Sequence, residues 1–342
     1  MGHGPGATGG AAAMLQTGRQ YLDLAVFFVF FCGSVYSNKY VLTSLHFTYP
    51  TIFQGWQTLF GLVFIKLVTL CSKQERLYGL DKPGFLSLLP NFLFFTGSVV
   101  AGSKALADIS VPIFLAVQNV TAALVYILDH APRFKGASAV SLLGSAFLVI
   151  TAALIVLLDL DMTFKDSPYF WLMTHIVCSS VQTLHGRVAD ARYSDIDRLY
   201  YSYLVSVIVL APSSLYLEEA FLVLDFPYKS QADFLAGCLV SGISAVLLAI
   251  FSIHVQEVRC AASVHGAARS LAALGSVFLF SDTKMAPAVA ILVVINMCAS
   301  LLVAWLPRQT LQLPTEKRPP PAISRDDAEQ GKPLIEASDD EK

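Results

Sequence analysis

Arg269 is the residue in this sequence with the sharpest chemical demand. It sits in Val264-His265-Gly266-Ala267-Ala268-Arg269-Ser270, with small residues on both sides, and the nearest acid, Glu257, is twelve positions away. The surrounding stretch, 260–281, is apolar enough to span a membrane. A charge at mid-bilayer costs about 2.5–3.5 kcal/mol on insertion scales, so such residues mark pathways or paired sites. A permanent cation there requires an anionic ligand or an acid from another helix, with Glu257 and Asp282 as the available acids near the span ends. Acids are scarce inside the spans, which favours the anion. Lys66 also falls inside a span, but only six residues from Ser72, where its long stem can carry the ammonium to the membrane surface. Gln118 and Asn119 are amides at bundle depth. Tyr200, Tyr201, Ser202 and Tyr203 stand near the start of the seventh span. There the tyrosines form an interfacial belt or a platform on which a base stacks, and both readings stand.

The other polar residues suggest less. His175, His185, His254 and His265 lack the spacing of a metal site. No GxSxG or GxxxxGK[ST] occurs, so no enzyme chemistry is indicated and no cofactor is called for. Six cysteines lie singly in apolar stretches and read as packing residues. Asn119-Val120-Thr121 matches a glycosylation sequon but lies inside a span.

The elements that must position these residues follow from composition. Of 342 residues, 55% are hydrophobic and 14% are charged, against roughly 25% charged in soluble domains. Residues 307–342 hold 14 of the 48 charged side chains. The remainder cannot cover a soluble core, which disfavours a soluble enzyme, a nucleic-acid binder and a disulfide scaffold. Ten spans are predicted, at 20–38, 51–71, 84–103, 109–129, 136–158, 168–187, 197–217, 233–254, 260–281 and 286–306. The expected class is an all-α membrane protein. Its expected divisions are a flexible cytosolic N-terminus at 1–19, five helices over 20–158, five more over 159–306, and a disordered cytosolic tail at 307–342. No basic n-region precedes the first apolar segment, which therefore reads as an uncleaved span.

Orientation follows from basic residues. The N-terminus and the connections after the even-numbered spans carry ten, from Arg19 to Arg259. The opposite connections carry Lys39, Lys104, Lys165, Lys229 and Lys284. That bias places both termini in the cytosol.

Several stretches, in order, resemble the nucleotide-sugar transporter family. They are Ser37-Asn38-Lys39-Tyr40-Val41-Leu42 followed by Phe47-Thr48-Tyr49-Pro50, then Gly102-Ser103-Lys104-Ala105-Leu106, Val111-Pro112-Ile113-Phe114 and Gln118-Asn119-Val120-Thr121. Ser194-Asp195-Ile196-Asp197 and Tyr200-Tyr201-Ser202-Tyr203 fall where GDP-mannose carriers have Phe-Tyr-Asn-Asn, and Gly266-Ala267-Ala268-Arg269-Ser270 falls where they have Gly-Ala-Leu-Asn-Lys. The resemblance spans about residues 20–306.

It implies two inverted five-helix repeats working by alternating access in the Golgi or the ER. It also implies exchange of a cytosolic nucleotide sugar for a luminal nucleoside monophosphate. Carried over, Tyr201 would stack on the base. Ser202 and Tyr203 replace the two asparagines that read guanine, and Ser270 replaces the phosphate-binding lysine, with Arg269 one position earlier. The implied substrate contacts are Asn38, Gln118, Asn119, Tyr201, Ser202, Tyr203, Gly266, Arg269 and Ser270. A uridine-based sugar fits better than a guanosine-based one, and the nearest branch points to UDP-N-acetylglucosamine. The expected partners are these nucleotides, the lipid bilayer and a second copy of the chain, with no nucleic acid. The alternatives are a GDP-sugar carrier, a phosphate-ester exchanger of the same superfamily, and a non-transporting scaffold that uses its tail in trafficking.

Overall fold

Apolar runs of about twenty residues, broken at prolines, glycines and charges, become helices because every backbone polar group in lipid must be satisfied within its own segment. A computed structural model describes residues 7–71, 77–130, 138–160, 167–188, 192–256, 261–280 and 285–305. The helices are α1 (Ala7–Lys39, continued by a π-helical turn over Tyr40–Ser44), α2 (Pro50–Cys71), α3 (Lys82–Asp108), α4 (Val111–His130), α5 (Ala139–Asp159), α6 (Pro168–Val188), α7 (Asp195–Tyr216), the short α8 (Glu219–Leu222), α9 (Ala232–Gln256), α10 (Ala261–Leu279) and α11 (Pro287–Trp305). Among the described residues eight helices are long and apolar enough to cross a membrane. α6 and α10, with 21 and 19 residues, are not among them. Both carry polar side chains that face other helices, as described below. The tail 307–342 and the acids Glu257 and Asp282 lie outside the described residues.

Within the unit Met1–Gln309, neighbour contacts run from α1 to α9, α2, α7, α3, α6, α4 and α10, and from α10 back to α1. Eight helices thus close a ring. α5 and α11 pack on each other outside it, α5 against α4 and α11 against α10. The main core joins α4 to α5, α6, α10 and α11 through residues such as Leu115, Ile155, Leu172, Ala272 and Val293.

α1 begins at Ala7, and its stretch long and apolar enough to cross a membrane starts at Gln20, where the sequence places the first span. Two expectations are corrected here. Lys104 is inside α3, with its ammonium 4.3 Å from the centre of the Trp171 ring, so it is not a connection residue. Lys39 is not one either. It ends α1 fully buried, and its Nζ donates to the carbonyls of Leu106 (3.1 Å), Ala107 (3.3 Å) and Ile109 (3.0 Å). These carbonyls end α3, where a cation meets both unpaired acceptors and the negative end of the helix dipole.

An aromatic cluster of Phe47, Phe53, Phe226 and Phe234 closes the same face, and the Glu219 carboxylate accepts from Ile52 N at 3.1 Å. Lys39→Ala removes a charged donor from buried carbonyls and should cost about 2–3 kcal/mol of stability. The variant should melt several degrees lower in detergent. An unchanged melting temperature would show that the cap is dispensable.

Candidate functional site

Small residues let α10 approach its neighbours closely. A Cβ on Gly266 would touch Leu301 at 3.5 Å, and the Ser270 hydroxyl turns back to the Gly266 carbonyl at 3.0 Å, also lying 3.7 Å from Met297 Sδ. This proximity brings the Arg269 guanidinium, half-buried, to α4, where it donates to Asn119 Oδ1 at 2.8 Å. That is its one hydrogen bond among the described residues, and no carboxylate there lies within ion-pair distance.

The polarity of the contact is fixed from outside. The Asn296 amide on α11 donates to the Leu148 carbonyl (3.1 Å) and to Thr151 Oγ1 (2.7 Å), both on α5. Thr151 already donates its own proton to the Phe147 carbonyl at 2.9 Å. A carbonyl can only accept, so Nδ2 of Asn296 faces α5 and its oxygen faces α4. That oxygen accepts from Asn119 Nδ2 at 3.0 Å, which leaves Asn119 Oδ1 for the arginine. Asn119 and Asn296 are essentially inaccessible to solvent, at 1% and 0% exposure.

A second network adjoins the first. His175 Nδ1 lies 2.8 Å from the Ser98 carbonyl, and its Nε2 lies 3.2 Å from Gln118 Nε2. By the same rule Nδ1 carries the proton and Nε2 accepts from Gln118. Ser98 also meets Ser179 at 2.7 Å. The close approach of α3 to α6 depends on Gly102, where a Cβ would fall 2.8 Å from His175 Nδ1.

The remaining expected site residues stand elsewhere. Asn38 Oδ1 accepts from Gln57 Nε2 (2.7 Å) and from the Ser241 hydroxyl (2.8 Å), tying α1 to α2 and α9. The Tyr201 hydroxyl donates to the Tyr78 carbonyl (2.9 Å) and accepts from Leu80 N (3.2 Å). Ser202 donates to the Arg198 carbonyl at 2.7 Å in its own helix. Tyr203 is buried against Gly61 and Phe95, and Lys66 Nζ lies 5.9 Å from the centre of the Tyr200 ring.

The structure therefore groups Arg269, Asn119, Gln118, Gly266 and Ser270, and leaves Asn38 and the α7 residues in separate contacts. Asn296, Thr151, His175 and Ser98 were not anticipated as members. Asn296 carried a readable signal, a single amide between Ile295 and Met297 inside a strongly apolar span.

The start of α7 is set by a reciprocal cap. Ser194 Oγ accepts from Asp197 N (3.1 Å), and Asp197 Oδ2 accepts from Ser194 N (2.9 Å). Asp197 Oδ1 also accepts from Tyr78 N at 2.9 Å, joining the cap to the residues before α3.

Beside it, Asp81 caps α3. Asp81 Oδ1 accepts from the Tyr193 hydroxyl at 2.6 Å and from Gly84 N at 2.9 Å, and Arg192 lies 3.3 Å from Oδ2. The Tyr193 contact first, then the Gly84 amide and the charge of Arg192, hold the Asp81 carboxyl below its ordinary value of 3.8. A carboxyl lowered by folding adds stability that is complete above its unfolded value and is lost as pH falls through the folded one. The melting temperature should therefore drop more steeply between about pH 5 and pH 3 for the native chain than for Asp81→Asn. Equal slopes would remove Asp81 from the acid response.

No family profile matches the chain. Individual relatives do. The mouse protein named UDP-N-acetylglucosamine transporter TMEM241 is 32% identical over 237 residues, covering 68% of this chain and 79% of its own length. Its Xenopus laevis homologue is 31% identical over 232 residues, 68% of this chain and 77% of that protein. A GDP-mannose transporter of Aspergillus niger is 24% identical over 289 residues, with 77% and 75% coverage.

Proposed function

The chain belongs to the nucleotide-sugar transporter family, and from that premise we propose that it exchanges cytosolic UDP-N-acetylglucosamine for luminal UMP across a Golgi or ER membrane. The protein is a helical membrane transporter, not an enzyme. The observation that carries the substrate class is Arg269, a half-buried guanidinium in an apolar bundle with only a neutral amide for a partner among the described residues. A diphosphate supplies the missing anion, and charge-assisted bonds from a guanidinium fork suit its oxygens. The uridine base is supported by the names of the two relatives above 30% identity.

The mechanism proposed is alternating access by two inverted five-helix halves, α1–α5 and α6–α11 with α8 as an extra turn. Its support is the pairing of the helices. Exchanging α1 with α6, α2 with α7, α3 with α9, α4 with α10 and α5 with α11 turns the α1–α9 contact into α6–α3. It turns α2–α9 into α7–α3, α4–α6 into α10–α1 and α4–α5 into α10–α11, and all of these contacts exist. On this reading α6 and α10 cross the membrane as well, with His175 of α6 turned to α3 and α4 and Arg269 of α10 turned to α4. Both termini are cytosolic. Setting aside the basic residues that lie within helices, Arg19, Lys82, Arg187 and Arg198 on that side and Lys39 and Lys104 on the other, leaves six against three, the same twofold bias.

Purified protein in liposomes preloaded with UMP should take up UDP-N-acetylglucosamine in preference to GDP-mannose and CMP-sialic acid. Preference for GDP-mannose would move the chain to a GDP-sugar function, the second reading, which the Aspergillus niger relative favours. Deletion of 307–342 should leave uptake intact, whereas a trafficking scaffold would require that tail.

A further inference from the structure

We propose that Asn296, supported by Thr151, is a positioning residue for substrate phosphate, acting through Asn119 on Arg269. The inference rests on the assignment of Arg269 to the phosphates and adds two residues, Thr151 on α5 and Asn296 on α11, to that site.

The geometry is a one-way relay. The Leu148 carbonyl and a Thr151 oxygen whose proton is already spent fix the Asn296 amide, which fixes the Asn119 amide. The result is an oxygen, not an amine, facing the guanidinium at 2.8 Å. A reversed Asn119 would point two N–H groups at a cation and push it away. With one of its five N–H donors held by a neutral acceptor, the guanidinium keeps its orientation and its full charge, and its other donors stay available. A carboxylate in the same place would compete with the phosphates. The neutral relay is what distinguishes a held ligand from a structural ion pair.

The relay also crosses the contact between α4 and α11 and the one between α5 and α11, so the orientation of the arginine depends on how these helices sit against one another. Asn119, with its amide engaged at both ends and 1% exposure, serves the site through Arg269 rather than by touching substrate.

The test is Asn296→Leu, with Thr151→Val as the milder variant, in UMP-loaded liposomes. Both proteins are first compared with the native chain by size exclusion and thermal unfolding. Loss of orientation should raise the half-saturating concentration of UDP-N-acetylglucosamine about tenfold for Asn296→Leu and about twofold for Thr151→Val. The maximal exchange rate should be retained. Inhibition by uridine, which has no phosphate, should be unchanged, whereas inhibition by UMP should weaken in parallel with the sugar nucleotide. A merely structural role predicts a lower melting temperature with equal losses for uridine and UMP, or an unchanged half-saturating concentration in the folded protein. Either result overturns the relay. Should Asn296→Leu not fold, Thr151→Val decides by the same comparison. Arg269→Ala is measured alongside. Normal exchange by that variant removes the phosphate assignment itself, whereas a defective Arg269→Ala with a normal Asn296→Leu removes only the relay.

Discussion

Arg269→Ala should reach the membrane in near-normal amount and lose most of its exchange activity. The diphosphate of a nucleotide sugar brings negative charge into a low-dielectric bundle, and truncating one partner of a buried charge pair costs about 2–5 kcal/mol. Affinity for the sugar nucleotide should therefore fall roughly thirtyfold or more. The stability cost is smaller, because the side chain leaves behind one neutral acceptor, Asn119 Oδ1, whose amide is still held by Asn296. Arg269→Lys should keep part of the activity, since the charge survives but the planar fork does not. A structural ion pair predicts the reverse pattern, a large loss of abundance that a second mutation in the paired acid restores. Uptake assays normalised to protein in the liposomes separate the two. Normal exchange by well-folded Arg269→Ala would end the assignment.

The apolar segments were legible because burial in lipid imposes both length and hydropathy: each of the ten falls on a helix, and eight of those helices are long and apolar enough to cross a membrane among the described residues. Their neighbours were not legible. A segment that is apolar on all sides has no periodicity to say which helix it meets, so the ring of eight helices with α5 and α11 outside it had to be seen. Lys39 and Lys104 misled for a related reason. A lysine near the end of an apolar run reads as a loop residue, yet Lys39 is drawn inside by the carbonyls of α3 and Lys104 by the Trp171 ring.

Arg269 and Asn119 were legible one at a time, because a polar group in lipid demands an explanation by itself. Their union was not, since 150 residues separate them. Asn296 obeys the same rule, but a lone neutral amide between Ile295 and Met297 stands out less than a charge or a pair of amides. α8 and the π-helical turn after Lys39 left no signal in apolar periodicity. Both lie on the face closed by the aromatic cluster around Phe47 and Phe226.

UMP should compete for uptake at least tenfold better than GMP, on the principle that a site built to pair a polar edge rejects the partner it cannot pair. On the proposed function the base would be read at Ser202 and Tyr203, the positions that the resemblance sets against the two asparagines of GDP-mannose carriers, although in this structure both are engaged away from Arg269. An asparagine side chain offers both a donor and an acceptor to the guanine edge. Ser202 has one hydroxyl, and its proton is committed to the Arg198 carbonyl at 2.7 Å. Tyr203 is buried against Gly61 and the Phe95 ring, at 5% exposure. Neither presents an amide, so guanine's amino and imino groups would be desolvated there without partners, at about 1–3 kcal/mol for each unmet group. Uracil has a single N–H and two carbonyls on the corresponding edge and gives up less. Introducing Ser202→Asn alone should narrow the gap only slightly, because Tyr203 still fills the neighbouring space. Ser202→Asn with Tyr203→Asn should narrow it further, with some loss of packing against Gly61. The comparison is read as the concentrations of UMP and GMP that halve uptake of labelled UDP-N-acetylglucosamine. Stronger inhibition by GMP than by UMP in the native protein would overturn the uridine assignment while leaving the phosphate site on Arg269 intact.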